Sequence, residues 1–479
     1  MSHQTIPLCV DLDGTLVKTD LLHESALELA KTAPLALLRL PGWLARGKAV
    51  MKQRLSDHVD LAVAHLPYRQ EVIAMITTAR DEGREIVLAT ASDQRVAMAV
   101  ANHLGLFDRI LASDGVTNLS AEAKARQLVA DYGEGGFDYV GNSADDLAVW
   151  RRARRAIIVS HDRRLHARLA EQSGEIERLA SAAPRWRDWM RSLRPHQWLK
   201  NLLIFVPLLA AHRAGDARLA GQAIVAFVAF CAAASSVYLV NDLVDLSSDR
   251  RHHSKRRRPF AAGSLPVSAG ILMAPVALIV SLGLGFVLPP AFTAVLGFYL
   301  ILTSIYSFWL KRQVLVDVML LAGLYTLRII AGAAATGVVP SFWLLAFSMF
   351  FFLSLAMVKR HQELHSASAE TGMLAGRGYM RSDLPVLMAL GSASGLMAVM
   401  VLALYINSPI VISGYREPIW LWLVPPLMLY WTGRLWMKTQ RGEIHDDPVV
   451  FALRDRQSLV LAAMIAAGLG AAAVGWRPW

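Results

Sequence analysis

From Leu202 to the end of this 479-residue chain, apolar stretches near the ~20 residues that cross a bilayer as a helix follow one another with only short polar breaks. Such stretches must satisfy their backbone internally, as helices buried in lipid or in each other. Nine candidate spans are read, at about 198–212, 219–240, 267–287, 291–309, 314–336, 341–358, 384–406, 418–437 and 458–475. Several contain Gly, Pro or Ser, which neighbouring helices make tolerable in a membrane.

Met1 to about Arg191 reads as soluble. Its apolar runs are short, and charge recurs throughout, as in DEGRE (81–85) and RRARR (151–155). The chain does not open with a positive, apolar, small-residue leader, so this half is expected in the cytoplasm. With 54% hydrophobic and 18% charged residues, a disordered, collagen-like or disulfide-stapled chain is excluded. Cys9 and Cys231 lie in separate apolar runs and read as buried thiols. Length alone suggests about three domains, but two solvents give two. The expected boundaries are a soluble domain at 1–165, a linker or interfacial helix at 166–193 ending in RWRDWMRSLRP, and a membrane domain at 194–479.

The net charge of +11 points to phosphates, nucleic acid or an anionic membrane face. Loops 241–266, 310–313, 359–383 and 438–457 hold nearly all the Lys and Arg between spans, whereas 213–218, 288–290, 337–340 and 407–417 hold few. By the positive-inside rule the first set is cytoplasmic and the C-terminus outside, as in a multi-pass inner-membrane protein. No recognition motif or aromatic-basic platform supports nucleic acid as a partner.

IPLCVDLDGTLV is a β-rich run ending in Asp11-Leu12-Asp13-Gly14-Thr15. Carboxylates two apart at a strand end share one crevice, where one can attack phosphorus and the other exchange a proton with the leaving oxygen. EIVLATAS is a second buried strand whose Thr90 hydroxyl could hold a phosphoryl oxygen. Lys124 supplies a cation to crowded carboxylates, and DYVGNSADD ends in Asp145 and Asp146, oxygen ligands suited to Mg²⁺. A phosphatase fold kept only as scaffold is the alternative to retained chemistry.

At the end of the second span, Asn241, Asp242, Asp245 and Asp249 of NDLVDLSSD share one face if the helix continues. Massed carboxylates beside a membrane repel unless cations bridge them, and Mg²⁺ on a diphosphate is the natural bridge. RRHHSKRRRPFAAG follows and offers Lys255, Arg256, Arg257 and Arg258 as phosphate donors; a solvated topology loop is the bland alternative. Arg328, inside an apolar span, is expensive there and reads as functional, with a structural pairing to Asp317 as the other possibility.

The ordered set in the first half resembles the haloacid dehalogenase-like phosphatases over about residues 5–165. The resemblance implies an α/β Rossmann-like domain with Asp11 as nucleophile, Asp13 as general acid/base, and Thr90 and Lys124 as phosphoryl binders. It further implies Mg²⁺ on Asp11, the Asp13 carbonyl and the last acidic loop, and a small helical cap in the roughly 70 residues between DLDGT and EIVLAT. The family's last motif usually begins Gly-Asp, whereas Gly141-Asn142 stands here; an amide oxygen ligates Mg²⁺ without adding charge.

The second half, about 191–479, resembles the UbiA superfamily of intramembrane prenyltransferases through RPHQWLKN (194–201), NDxxDxxxD at 241–249, KRRRPFAAG at 255–263 and its spans. The implied fold is an all-α bundle of nine transmembrane helices. Archetypal members carry a second aspartate motif, but Lys359-Arg360-His-Gln-Glu363 stands in its place. With YSFWLKR (306–312), VDVMLLAGLYTLRIIAGAAATG (316–337) and HDDPVVFALRDR (445–456), this resembles the decaprenyl-phosphate phosphoribosyltransferase branch. By that resemblance the donor is phosphoribosyl pyrophosphate and the acceptor a polyprenyl phosphate of unstated length. Asp242, Asp245 and Asp249 would serve catalysis and Mg²⁺. Lys200, Asn201, Asn241, Lys255–Arg258, Lys311, Arg328, Lys359, Arg360 and Tyr379 would bind substrate.

A product that keeps its ribose 5-phosphate at the cytoplasmic face suggests a bifunctional enzyme, with the first domain removing that phosphate. The alternative is an aromatic or tetrapyrrole prenyltransferase with a regulatory or scaffolding first domain. The sequence is compatible with a homo-oligomer and fixes no oligomeric state.

Overall fold

A computed structural model describes residues 6–171, 175–366, 377–444 and 447–475. The chain forms two compact units. One comprises the residues up to Arg194 together with Tyr238–Pro275, the other Pro195–Val237 with the residues from Val276 onward. The segment carrying the NDxxDxxxD motif therefore packs with the soluble half. That grouping differs from the sequence boundaries because long-range contacts, rather than hydropathy, decide it.

The first unit is built on six parallel strands in the order β3-β2-β1-β4-β5-β6: β1 Leu8–Val10, β2 Ile86–Asp93, β3 Arg109–Ser113, β4 Asp138–Gly141, β5 Arg155–Ile158 and β6 Glu175–Arg178. The sheet thus runs beyond residue 165, to which the sequence assigns the end of the domain. Strands buried on both faces read as continuous apolar runs, and β1, Leu-Cys-Val, is wholly buried. Val10 pairs with Leu88 on one side and Val140 on the other, so β1 and β4 end nearly level while β2 runs on to Asp93. The order reverses at β1, and the crevice outside carboxyl strand ends at such a point is where open α/β sheets bind ligands.

Between β1 and β2 stand the helices Leu21–Thr32, Leu40–Ala45, Lys48–His58 and Gln70–Asp81. The first three make the small helical cap. Asp20 caps the first of them by accepting from the Leu22 and His23 amides.

Seven helices among the described residues are long and apolar enough to cross a membrane: Ala217–Val244, Val267–Val287, Pro290–Phe308, Val316–Thr336, Phe342–His365, Arg381–Ile406 and Arg456–Val474. The chain is a membrane protein on that count, with seven such helices against the nine expected. The other two expected spans are broken near prolines. Residues 198–212 become a 3₁₀ segment, Pro195–Phe205, and the short helix Val206–Ala210 with Pro207 in its first turn. Residues 418–437 become Pro418–Leu423 and Val424–Gln440, each with Pro in its first turn. Proline lacks the N–H that would join the pieces into one helix.

In the second unit, Val316–Thr336 is the most buried of the seven helices. Gly332 on it meets the Ile204 carbonyl so closely that a Cβ would lie 1.9 Å from that oxygen. Only glycine permits this approach.

Candidate active sites

In the first unit, Asp11 and Asp13 follow β1 and lie at the floor of a cavity of about 850 Å³. Gly14, at φ +74°, turns the loop, and a Cβ there would stand 2.2 Å from the Asn142 amide nitrogen. Arg69 fixes the loop from the helical side, donating to the Thr15 and Gly14 carbonyls at 3.2 Å each.

Lys124 Nζ donates to Asp11 Oδ1 at 2.7 Å and to the Tyr139 hydroxyl at 2.7 Å. Burial pushes the Asp11 carboxyl above its ordinary range although Lys124 pulls it down. Asp13 accepts from the Leu21 amide at 2.8 Å and the Ser92 hydroxyl at 2.5 Å. Burial first, then the charge of Asp20, pushes its carboxyl up to about 6, close to what proton exchange at neutral pH requires.

The other expected residues divide. Thr90 is buried and does not line the cavity; its hydroxyl accepts from the Ser92 amide at 3.0 Å, because β2 continues through it to Asp93. Ser92 lines the cavity instead. Asp146 is buried and hydrogen-bonded: Oδ1 accepts from Tyr139 at 2.9 Å, and Oδ2 from the Asn142 and Ser143 amides at 2.9 Å and the Ser143 hydroxyl at 3.1 Å. It closes the turn after β4 and lines the cavity, with Oδ1 accepting a single hydrogen bond. Asn142 Oδ1 accepts from Thr15 at 3.0 Å, and Asp145 lines the cavity.

Lys52, on a cap helix, was not legible as a site residue. It lines the cavity and donates to the Ala91 carbonyl at 2.6 Å and Asn118 at 3.0 Å. No sequence motif marks it, because the cap meets the core only in three dimensions. The lining of the cavity also includes Ala262, Gly263, Ser264, Pro266, Val267 and Ser268, which lead into the membrane-length helix Val267–Val287.

The aspartate motif lies in the same unit. The backbone keeps its helical bonds across Asp245, from its amide to Asn241 at 2.9 Å and from the Asp249 amide to Asp245 at 2.8 Å. Asp242 and Asp249 are buried and share Arg258, whose Nη1 stands 3.1 Å from Asp242 and 2.5 Å from Asp249. Burial raises the Asp249 carboxyl even against that guanidinium. Asp245 is half-buried and takes no part in the Arg258 bridge. Asn241 is half-buried, and Lys255, Arg256 and Arg257 form an exposed 3₁₀ turn. Arg194, which opens RPHQWLKN, also bonds Asp242. Its position at the head of that motif was the available signal.

In the second unit, Lys200 bonds Asp447 at 2.8 Å and Lys359 reaches the same oxygen at 3.4 Å. Asp447 belongs to the HDDP motif, whose His445 and Asp446 lie outside the described residues. Lys200 and Lys359 hold the Asp447 carboxyl down at about 2 despite its burial.

Arg328 is spent on protein partners: Asn201 at 2.8 Å, the Leu324 carbonyl at 2.5 Å and the Tyr299 hydroxyl at 3.3 Å. Asn201 also donates to Cys231 Sγ at 3.3 Å. Asp317 pairs not with Arg328 but with fully buried Arg360, at 2.6 Å, and accepts from Tyr379 at 2.5 Å. Arg360 and Tyr379, expected at substrate, are thus buried around a carboxylate, since an unpaired Asp in that position would be too costly. Lys311 lies half-buried on the 3₁₀ turn Leu310–Arg312.

Among the described residues no three His, Cys, Asp or Glu side chains are grouped to hold a metal by themselves. The donors present are hard oxygens, one or two carboxylates at a time. That suits Mg²⁺, which is commonly held by few carboxylates with substrate phosphate completing its shell.

Residues 202–459 match the UbiA prenyltransferase family, and residues 8–151 the haloacid dehalogenase-like hydrolases. An uncharacterized protein of Sinorhizobium fredii is 39% identical over 96% of this chain and 90% of its own. Nodulation protein NoeC of Azorhizobium caulinodans is 36% identical over 59% of this chain and 92% of its own. Decaprenyl-phosphate phosphoribosyltransferase of Mycobacterium tuberculosis is 38% identical over 37% of this chain and 60% of its own length.

Proposed function

Because the chain belongs to the UbiA prenyltransferase family and carries an N-terminal haloacid dehalogenase-like hydrolase domain, we propose a bifunctional enzyme that makes polyprenyl-phosphoryl-ribose in two steps. In the first, a polyprenyl phosphate oxygen bonds to the anomeric carbon of phosphoribosyl pyrophosphate as the bond to pyrophosphate breaks. In the second, the ribose 5-phosphate is hydrolysed. The relative named decaprenyl-phosphate phosphoribosyltransferase supports the first step.

The observation that carries the second is the cavity wall. A phosphatase pocket bounded by Ala262–Ser268, at the start of a membrane-length helix, is suited to a phosphate ester presented from the membrane. Its ~850 Å³ also exceeds what a lone phosphate fills.

Asp242, Asp245 and Asp249 would hold one Mg²⁺, and Asp11, the Asp13 carbonyl, Asn142 and Asp145 another; when bound, the ions screen phosphate charge. Arg258 and Arg194 pair with Asp242 and would meet the oxygens of the diphosphate directly when it binds. Lys200 and Lys359, gathered on the Asp447 carboxylate, are the cations suited to a lipid phosphate. In the phosphatase site, Asp11 attacks phosphorus, and Asp13 gives its proton to the departing ribose oxygen as the P–O bond breaks. Water then attacks the aspartyl-phosphate, returns a proton to Asp13 and releases phosphate. Lys124 offsets the charge gathered on the equatorial oxygens. With the basic loops at the inner face of a cytoplasmic membrane, both steps proceed at the cytoplasmic side.

The test incubates purified protein with labelled phosphoribosyl pyrophosphate, Mg²⁺ and a polyprenyl phosphate, and inspects the lipid fraction. Labelled lipid without a terminal phosphate is expected from the intact chain, and lipid that keeps it from Asp11→Asn. Absence of labelled lipid overturns the transfer step; an unchanged phosphate content in the variant overturns the hydrolytic one.

A further inference from the structure

Between Glu28 and Asp57 the chain carries six Lys or Arg and no acid, and at the centre of this stretch reads PLALLRLPGWLARGK. The structure folds the centre as a 3₁₀ helix, Pro34–Arg39, and the short helix Leu40–Ala45. One side is core: Leu37, Leu40 and Trp43 pack against Leu29, Leu55 and Val59. The other side turns Leu35 and Leu38 outward, 80% and 79% exposed, beside exposed Leu44. Arg39, Arg46 and Lys48 are exposed around them. Leucines held out by their own backbone, in a stretch whose only charges are cations, are unfavourable in water and match a lipid interface, where the leucines enter the acyl boundary and the cations meet phosphates.

The position agrees. Lys31, three residues before Pro34, donates to Ser247 at 3.3 Å, and Ser247 donates to Glu28 at 3.0 Å. Ser247 lies three residues beyond Val244, the end of a 28-residue membrane-length helix. At ~1.5 Å per residue that helix outruns the ~30 Å hydrocarbon core, which leaves its polar end at headgroup level. Three extended residues span only about 10 Å, so Pro34 starts within a short reach of that helix end, the lysine side chain included.

We propose that residues 34–48 of the phosphatase cap dock into the interface of an anionic bilayer. The inference is independent of the reaction. A second copy is a poor occupant, since a self-complementary contact would bring Arg39, Arg46 and Lys48 against their own copies.

The full chain, with Leu38→Cys carrying an environment-sensitive fluorophore, is reconstituted in nanodiscs whose lipids bear a quencher near the headgroup. Cys9 and Cys231 are buried, so the unsubstituted chain gives the labelling blank. In anionic discs quenching is expected to exceed, by about two-fold or more, that of a label at Val116, an exposed position beside Asp114, because interfacial segments enter about 5–10 Å. Arg39→Glu with Arg46→Glu and Lys48→Glu is expected to remove that excess. Quenching equal to that at Val116, or a signal that follows protein concentration rather than lipid, overturns the proposal. Leu35→Cys gives the same readout should the first variant fold poorly.

Discussion

Arg250 donates both terminal nitrogens to the two carboxylate oxygens of Glu24, at 2.6 and 2.5 Å, with both side chains buried. Arg250 follows Asp249 of the aspartate motif directly. Glu24 lies one turn along the helix whose first amide, at Leu21, is held by Asp13. A short covalent and hydrogen-bonded path therefore joins Asp13 to the aspartates of the NDxxDxxxD motif within one unit.

Removing one partner leaves a buried charge. Arg250→Met is expected to lower stability by about 3–5 kcal/mol, whereas Glu24→Gln with Arg250→Met costs far less. Thermal unfolding of the intact chain in detergent checks this. Equal losses in the single and double variants would show that the pair contributes packing alone.

Arg258 occupies the space between Asp242 and Asp249 that a bridging cation needs. Arg258→Gln is expected to lower the Mg²⁺ concentration for half-maximal transfer while cutting the maximal rate roughly tenfold or more, through loss of a charge-assisted phosphate contact. Steady-state rates across a Mg²⁺ titration separate the two effects. A variant with weaker Mg²⁺ dependence and an unchanged maximum contradicts the assignment.

Asn142 contributes an amide oxygen where a carboxylate would add charge. Asn142→Asp is expected to tighten Mg²⁺ at the phosphatase site by about tenfold, one added ligand charge being worth roughly 1.4 kcal/mol in a partly solvated site. Phosphate release against Mg²⁺ concentration reads this out, and no change would place the metal away from residue 142.

Asp138 is buried beside β1, and burial alone would raise its carboxyl. Arg154, at 2.8 and 2.7 Å, and Arg84 outweigh this and hold it below the ordinary range. A carboxyl depressed in the folded state stabilises fully above its unfolded value near 3.8 and loses that contribution as pH falls through the folded one. Unfolding midpoints of the wild type are therefore expected to fall more steeply below about pH 4 than those of Asp138→Asn. Parallel pH profiles would refute the role.

Much of the phosphatase site is legible because strand ends announce themselves: an apolar run must stop where a polar loop begins, and DLDGT and GNSADD mark those points. Which oxygen is free is not announced. Asp145 and Asp146 look alike in sequence and both line the cavity, yet Asp146 alone is tied down by Tyr139, Asn142 and Ser143. Thr90 and Ser92 differ for a similar reason, since the length of β2 decides which hydroxyl lines the crevice.

Local pattern, then, determined the two solvents, the buried strands, the apolar helices and the two acidic motifs, because hydropathy and strand ends are properties of neighbouring residues. Tertiary structure alone decided that Arg328 binds Asn201 and Tyr299 and that Asp317 takes Arg360. It decided likewise that residues 238–275 pack with the haloacid dehalogenase-like domain. Buried charges select partners by proximity and desolvation, and proximity between residues a hundred or more positions apart is set only when the chain is folded.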